Sequence, residues 1–355
     1  VPSEFTLTLF IPDLFGFQST LSKLTTNELS QLPEIKLPVL EKWFSRGLLE
    51  KSCHQDDFIF SEFGLSVVKD NGKYTDKPYA ALALHADNVS DIVINQGDYW
   101  LRADPVNLQA DRDTALLAAH EELALTQTEA NKLVEEINRH FIDEPWQLYA
   151  FAPHRWYLRL EQAANLFTTP LAKMLGEDIN QFGSTGDDAD YWFKIMNELQ
   201  MLLHGSVVNF ERESRNMWTA NSLWLWGGGC LPEKRLNSAY DTIITNDIIF
   251  SGLANYCGVN FLALDTSLAK NIETNNNFVV LNMLSEQVQR RDLYTFVQTL
   301  NNVENTFLIY CNELLLNGSI AKIKIMTDAG LLTVTKKHLG RWWKRIKPFA
   351  SFNYA

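Results

Sequence analysis

The stretch Thr6-Leu-Thr-Leu-Phe-Ile11-Pro12-Asp13-Leu-Phe-Gly16 decides the fold class. Its first six residues favour a strand, and Pro12 ends it because proline has no amide hydrogen to give to a ladder. Asp13 therefore falls just beyond a strand's carboxyl end, where open α/β sheets place their ligands. Downstream, Pro38-Val-Leu-Glu-Lys-Trp-Phe-Ser-Arg46-Gly47 repeats apolar residues at helical spacing and stops at glycine. A strand followed by a helix predicts a mostly parallel sheet flanked by helices.

Working outward, Thr126-Gln-Thr-Glu129 has the capping-box pattern ahead of Ala130, Leu133, Val134, Ile137 and Phe141, which predicts a helix over 126–141. Further helices are expected at 191–203, 248–257 and 286–300. Strands are expected at 147–151, 156–160, 222–226, 261–264, 278–281, 306–311 and 320–326, with polar loops at 70–78 and 183–190. This order predicts an α/β core made of 1–105 and 183–355 with a small α/β domain inserted at 106–182. A cleft between the two parts is the default ligand site.

With 46% hydrophobic and 21% charged residues in 355, the composition is that of a globular protein. The net charge of −12 opposes general binding to nucleic acid or anionic membrane, because the long-range field repels polyanions. Cys53, Cys230, Cys257 and Cys311 lie far apart without a C-x-x-C pair, which predicts reduced, packed thiols. No run reaches the roughly 18 apolar residues of a membrane span, and the opening residues carry no basic leader, so a cytoplasmic protein is expected.

The C-terminal run departs from this acidic balance: Lys336, Lys337, Arg341, Lys344, Arg345 and Lys347 flank Trp342 and Trp343. A last helix that docks both tryptophans and leaves its cations in water accounts for it. The alternative is a partner engaged through Trp342, Trp343, Arg341 and Arg345.

Several residues could carry chemistry. Arg102 lies near a strand and is followed by Asp111-Arg112-Asp113; an arginine fork suits phosphate or carboxylate, and neighbouring acids can orient it. Arg155 and Arg159 share a strand face by the two-residue period. Asn209 and Arg212 lie in LLHGSVVNFERESR, and Asn221 begins a strand that runs through Trp226 into Gly227-Gly228-Gly229. Three glycines after a strand either let the backbone approach a ligand and present its N–H groups, or make a tight turn.

Taken in order, LRADPV, ADRD, LTQTEANKLVEEIN, HRWYLRL, TTPLAKMLGEDI, HGSVVNFERE and ANSLWLWGGGCLP resemble the archaeal-type cofactor-independent phosphoglycerate mutases of the alkaline phosphatase superfamily, over residues 95–262. The chain is also similar to a group of bacterial phosphoglycerate mutase-like or regulatory proteins. The resemblance implies an alkaline phosphatase-like core. It also implies that Arg102, Asp111, Arg112, Arg155, Asn209, Arg212, Asn221 and the Trp226-Gly227 turn line a site for a small anionic metabolite. Cys230 stands where the family has an arginine.

The resemblance further implies two divalent metals, manganese or magnesium, and a serine or threonine that accepts the phosphoryl group. Asp13 matches the first metal-ligand aspartate, and Asp328 survives from a late Asp-His pair whose histidine is gone. Gln55 falls at the acceptor position if Gly64 marks the next turn, while Ser52 and Ser61 each need a register shift. Two aspartates are too few for a two-metal cluster, and the seven histidines are scattered.

The sequence thus points to a catalytically degenerate relative without a metal cofactor that binds a small anion or a protein, with no nucleic-acid or membrane role. Two alternatives stand beside it. One is an active manganese- or magnesium-dependent mutase using Asp13, Asp56 or Asp57, Asp328 and a histidine brought in from elsewhere; the other is a structural or assembly component.

Overall fold

The computed structural model describes residues 5–352 other than 52–54, 67–75, 88–93, 96, 111–114, 120–121, 175–183, 235–236, 265–271 and 273–275. The chain divides into two compact units, Val1–Leu65 with Lys234–Ala355, and Ser66–Glu233. The second is wider than the expected 106–182. The reason lies in one strand, Tyr99–Ala110, which runs unbroken past residue 105 and pairs with Ser222–Gly229 from Trp100 to Val106, so both belong to one sheet.

The first unit holds a seven-stranded sheet in the order Asn260–Leu262, Thr242–Ile244, Asn277–Val280, Thr6–Phe10, Lys322–Thr327, Gly330–Thr335, Leu48–Glu50. The first five strands are parallel, Gly330–Thr335 runs antiparallel to them, and Leu48–Glu50 pairs antiparallel with that strand, which keeps the core mostly parallel. Strand alternation sends Leu7, Leu9, Ile323 and Ile325 into a core shared with the Pro38–Arg46, Leu293–Val303 and Ile309–Asn317 helices. It sends the register partners Thr8 and Lys324 to the other face. There Lys324 Nζ donates to both oxygens of Glu62, at 2.7 and 2.9 Å, and the Tyr240 hydroxyl bonds Glu62 and, at 2.8 Å, Thr8. The half-buried cation is thus paired, as burial of charge demands.

Three expectations are corrected. Residues 306–311 are helical: a π turn at Glu304–Leu308 runs into Ile309–Asn317. The apolar run Phe-Leu-Ile-Tyr-Cys reads equally as a buried strand or a buried helix, and tertiary packing of Phe307, Leu308, Cys311, Leu314 and Leu315 decides for the helix. The helix expected at 286–300 is two, Met283–Gln289 and Leu293–Val303, separated where Arg291 takes φ 55° and Asp292 caps the second through Thr295 N. The last helix, Lys336–Leu339, ends at Gly340 and docks neither tryptophan; Trp342 and Trp343 are 81% and 67% exposed.

The second unit is a five-stranded antiparallel sheet. Ala115–Ala119, Tyr99–Ala110, Arg155–Leu160 and Trp146–Ala152 follow in order, and Ser222–Gly229 also pairs with Tyr99–Ala110. The Gln127–His140 and Ala189–His204 helices cover one face, packing Leu133, Ile137, Leu199 and Leu203 on Leu101, Ala103, Leu158 and Leu225. The capping box forms as expected: the Thr126 hydroxyl accepts Glu129 N at 3.2 Å and Glu129 Oε2 accepts Thr126 N at 2.9 Å.

Glu304 shows how a buried carboxylate holds the first unit together. It has no exposed surface, and it accepts Val39 N at 2.6 Å and Leu40 N at 3.3 Å. These are first-turn amides of the Pro38–Arg46 helix, whose own N-cap residue, Leu37, offers no acceptor. Burial pushes the Glu304 carboxyl up to about 7, with the two amides opposing and Glu41 adding to the rise. A folded pKa above the ordinary 4.5 means that its contribution is complete below about pH 4.5 and lost as pH rises towards 7. The loss is about 3 kcal/mol. In urea unfolding followed from pH 4.5 to 8, Glu304→Gln is expected to remove this part of the decline while keeping the contact to Val39. A slope equal to wild type would contradict the assignment.

Candidate functional site

On the face of the second sheet opposite its two helices, the two-residue period aligns Trp100, Arg102 and Asp104 from one strand, Arg155, Tyr157 and Arg159 from another, and Trp224 and Trp226 from a third. The Arg102 guanidinium lies 5.0 Å from the Tyr157 ring centre and 5.2 Å from that of Trp226. Its Nε and Nη2 donate to Asp104 Oδ1 at 3.1 and 2.5 Å. The other Asp104 oxygen accepts Trp226 Nε1 at 2.7 Å. Both charged residues are buried. Burial works against the Arg102 charge, but Asp104 outweighs it and keeps the guanidinium protonated.

A second carboxylate, Asp87, accepts Arg155 Nη2 at 2.6 Å and the Tyr157 hydroxyl at 2.7 Å. Burial pushes the Tyr157 phenol well up, so it remains a donor. Arg155 keeps 27% of its side chain exposed and bonds the His154 ring at 3.4 Å. Farther along the strand, Arg159 pairs with Asp98 at 3.0 Å.

The three glycines are the last residues of the Ser222–Gly229 strand, at a register shift against Trp100 and Arg102, packed within their own unit. Gly227 has φ 66°, a conformation that side chains avoid, and its N–H donates to the Thr168 hydroxyl at 3.2 Å. At Gly228 a Cβ would meet the Tyr99 hydroxyl at 2.6 Å, and its N–H goes to Asp76, which also takes the Thr168 hydroxyl. The backbone donors that a ligand would have used are satisfied within the unit.

Of the residues singled out from the sequence, Arg102, Arg155, Trp226 and Gly227 come together here. Asp111 and Arg112 lie outside the described residues. Asn209, Arg212 and Asn221 each bond within the second unit. Asn209 bonds Leu203 O and Ala220 O at 2.8 and 2.9 Å, and Asn221 bonds both backbone groups of Leu108. Arg212, with no exposed surface, donates to Trp218 O, Leu123 O and Glu129. Burial raises the Glu129 pKa, but bonds from Thr126 and Arg215 and the Arg212 charge outweigh it and bring it to about 2. Asn209 and Arg212 thus tie the helical layer together, and Asn221 holds the Tyr99–Ala110 strand.

Asp104, Asp87, Tyr157, Asp76 and Thr168 were not foreseen. Asp104 was within reach, since the alternation that pairs Arg155 with Arg159 also puts it beside Arg102. Asp87 and Asp76 had no local signal: they meet their partners across 68 and 92 residues of chain.

In the first unit, Asp13 follows the Thr6–Phe10 strand with φ 56°, and Asp328 follows the adjacent parallel strand. The Asp328 side chain is exposed in part, yet its carboxylate turns onto Phe15 N, at 3.0 and 3.2 Å. Burial of that carboxylate, with Asp13 adding to the effect, pushes it up to about 6. Gln55 opens the Gln55–Glu62 helix, Ser61 donates to Phe58 O, and Ser52 lies outside the described residues. Among the described residues, no group of three or more His, Cys, Asp or Glu is placed to hold a metal ion. Asp13 and Asp328 are the two carboxylates that the described residues bring to this edge of the sheet.

These features define a mixed α/β protein with a mostly parallel, helix-flanked core, and comparison with known proteins finds the chain similar, over part of its length, to 2,3-bisphosphoglycerate-independent phosphoglycerate mutases. No family model matches the chain. The 2,3-bisphosphoglycerate-independent phosphoglycerate mutase of Methanosarcina barkeri is 22% identical over 177 residues, 48% of this chain and 44% of the relative. The probable enzyme of the same name from Geobacter sulfurreducens is 23% identical over 142 residues, 40% of this chain and 36% of its own. The similarity thus spans less than half the length of these relatives. Among solved structures, the PH0037 protein from Pyrococcus horikoshii shares the fold, with a TM-score of 0.55 and 13% identity over 94% of this chain and 88% of its own.

Asp104→Asn leaves the Arg102 cation buried without a counter-charge, and is expected to cost about 3 kcal/mol or more in urea unfolding. Arg159→Ala, which breaks a partly exposed pair, should cost about 1 kcal/mol or less. Equal losses would show that burial does not govern these pairs.

Proposed function

We propose that the chain is a phosphoglycerate mutase-like protein that has lost mutase chemistry and binds a small carboxylated or phosphorylated metabolite on the Arg102, Arg155 and Trp226 face of its second unit. The observation that carries this reading is the interlock of Arg102, Asp104 and Trp226, which holds an arginine and aromatic surface in one geometry before any ligand arrives. Arg155 is the candidate arginine with solvent access there. A two-oxygen anion could take its fork in place of Asp87, with the Tyr157 hydroxyl, now bonded to Asp87, as a second donor.

Loss of chemistry is supported by the donor set: two carboxylates after the Thr6–Phe10 and Lys322–Thr327 strands, and the Gln55 amide at the acceptor position. An amide cannot form a phospho-enzyme. One observation favours an active enzyme instead: Asp13 and Asp328 are neighbours at the carboxyl edge of a parallel sheet, where such chemistry is usually built.

Two measurements test these readings. In thermal denaturation with 3-phosphoglycerate, 2-phosphoglycerate, phosphoenolpyruvate and inorganic phosphate, wild type should gain several degrees with at least one of them, and Arg155→Ala should lose that gain. No gain across the series would remove the ligand role. Arg212→Ala is unsuitable as a binding probe, because it cuts the buried clamp on Glu129. In a mutase assay with added manganese, no turnover is expected; turnover together with stoichiometric metal, both lost in Asp13→Ala, would overturn the loss of chemistry.

A further inference from the structure

The segment between the last helix and Phe349 carries the most exposed aromatic surface among the described residues. Trp342 and Trp343 are 81% and 67% exposed, with Ile346 at 41% beside them in sequence. The two indoles meet edge to face, 6.1 Å apart at 85°.

The segment is held at both ends. Leu339 and Phe349 are buried. Arg46 donates to Leu339 O at 2.6 Å, and Arg341 returns a bond to Arg46 O at 3.1 Å. Lys347 N bonds the Ser45 hydroxyl at 2.9 Å, and Phe349 N bonds Glu41 at 2.7 Å while its ring stacks on Phe15. Inside this frame Lys344 N closes a turn onto Arg341 O. All of these anchors belong to the first unit. Exposing two tryptophans on a fixed loop has no folding benefit, since burying them would be worth about 1.5–3 kcal/mol each.

Charge narrows what such a loop would meet. Residues 336–347 contain six lysines and arginines and no acid, a local +6. The whole chain carries −12, so the remainder, −12 less +6, carries −18. A long polyanion or an extended anionic bilayer would feel that remainder as well as the loop. A short acidic segment would feel chiefly the loop, because charges are screened beyond about 8 Å at physiological salt. Among the described residues, the side chains of Lys344, Arg345 and Lys347 form no ion pair. Tryptophan and arginine are also the residues that most often anchor protein interfaces, and a pre-held loop loses little entropy on docking.

We propose that the Gly340–Lys347 loop is a docking site for a short acidic peptide segment of another protein, one that places an apolar side chain against the Trp342 and Trp343 pair and its carboxylates on Lys344, Arg345 and Lys347. This stands independently of the metabolite site.

The test uses the full chain and a displayed library of random 12-residue peptides, with Trp342→Ala/Trp343→Ala as the counter-selected control. Enriched peptides should combine several Asp or Glu with at least one large apolar residue. A synthetic copy should bind the double variant about tenfold more weakly or worse, and its Gln-for-Glu and Asn-for-Asp version should lose binding comparably. Because both indoles are exposed, the variant should keep the wild-type melting temperature. Enrichment without acidic character, or no enrichment over the variant, would overturn the proposal. So would binding to phosphatidylserine vesicles or a single-stranded oligonucleotide at physiological salt that disappears in the same variant while the acidic peptide fails to bind. Association of two copies of this chain through the loop, seen as a concentration-dependent mass abolished in the variant, would replace the foreign partner with a second copy.

Discussion

The charge on Arg102 has to be balanced inside the second unit, and much of that unit's polar face follows from this constraint. A guanidinium cannot shed its proton, so burying it demands a carboxylate, and Asp104 lies two residues away on the same strand face. Once Asp104 is buried its remaining oxygen must also be satisfied, and Trp226 supplies the bond. That draws Ser222–Gly229 into register with Tyr99–Ala110, places the Trp226 ring over the cation, and sets the Gly227 register shift against Thr168.

The same pattern recurs across the unit. Arg155 has Asp87, Arg159 has Asp98, and Arg212 and Arg215 share Glu129. An arginine-rich motif therefore does not equal an electropositive surface. What distinguishes these arginines is how much water reaches them. Arg212 has become part of the helical packing, Arg102 is a fixed platform, and Arg155 keeps enough exposure to exchange its partner. Arg159 and Arg215 are more exposed, at 40% and 52%, but Arg155 shares Asp87 with Tyr157 beside the Arg102 platform, and the proposed ligand contact centres there.

In the first unit the parallel sheet brings Asp13 and Asp328 together at its carboxyl edge. In the same unit Glu304 spends its carboxylate on the amides of the Pro38–Arg46 helix, a packing and capping role.

Local chemistry made several features legible from the residues alone: the Thr6–Phe10 strand ended by proline, the Thr126 to Glu129 capping box, the Pro38–Arg46 helix closed by glycine, and the parallel α/β character of the core. Each depends on neighbours within a turn or two, which periodicity reports directly. Other features were decided by tertiary structure. The 306–311 run became helix because its apolar residues match a helical core, and Asn209 and Arg212 became clamps because their partners arrive from Leu203, Ala220, Glu129 and Leu123. Trp342 and Trp343 stayed in water because the chain turns at Gly340. Hydrogen-bond partners chosen across tens or hundreds of residues leave no mark on local spacing, so only the folded chain could assign them.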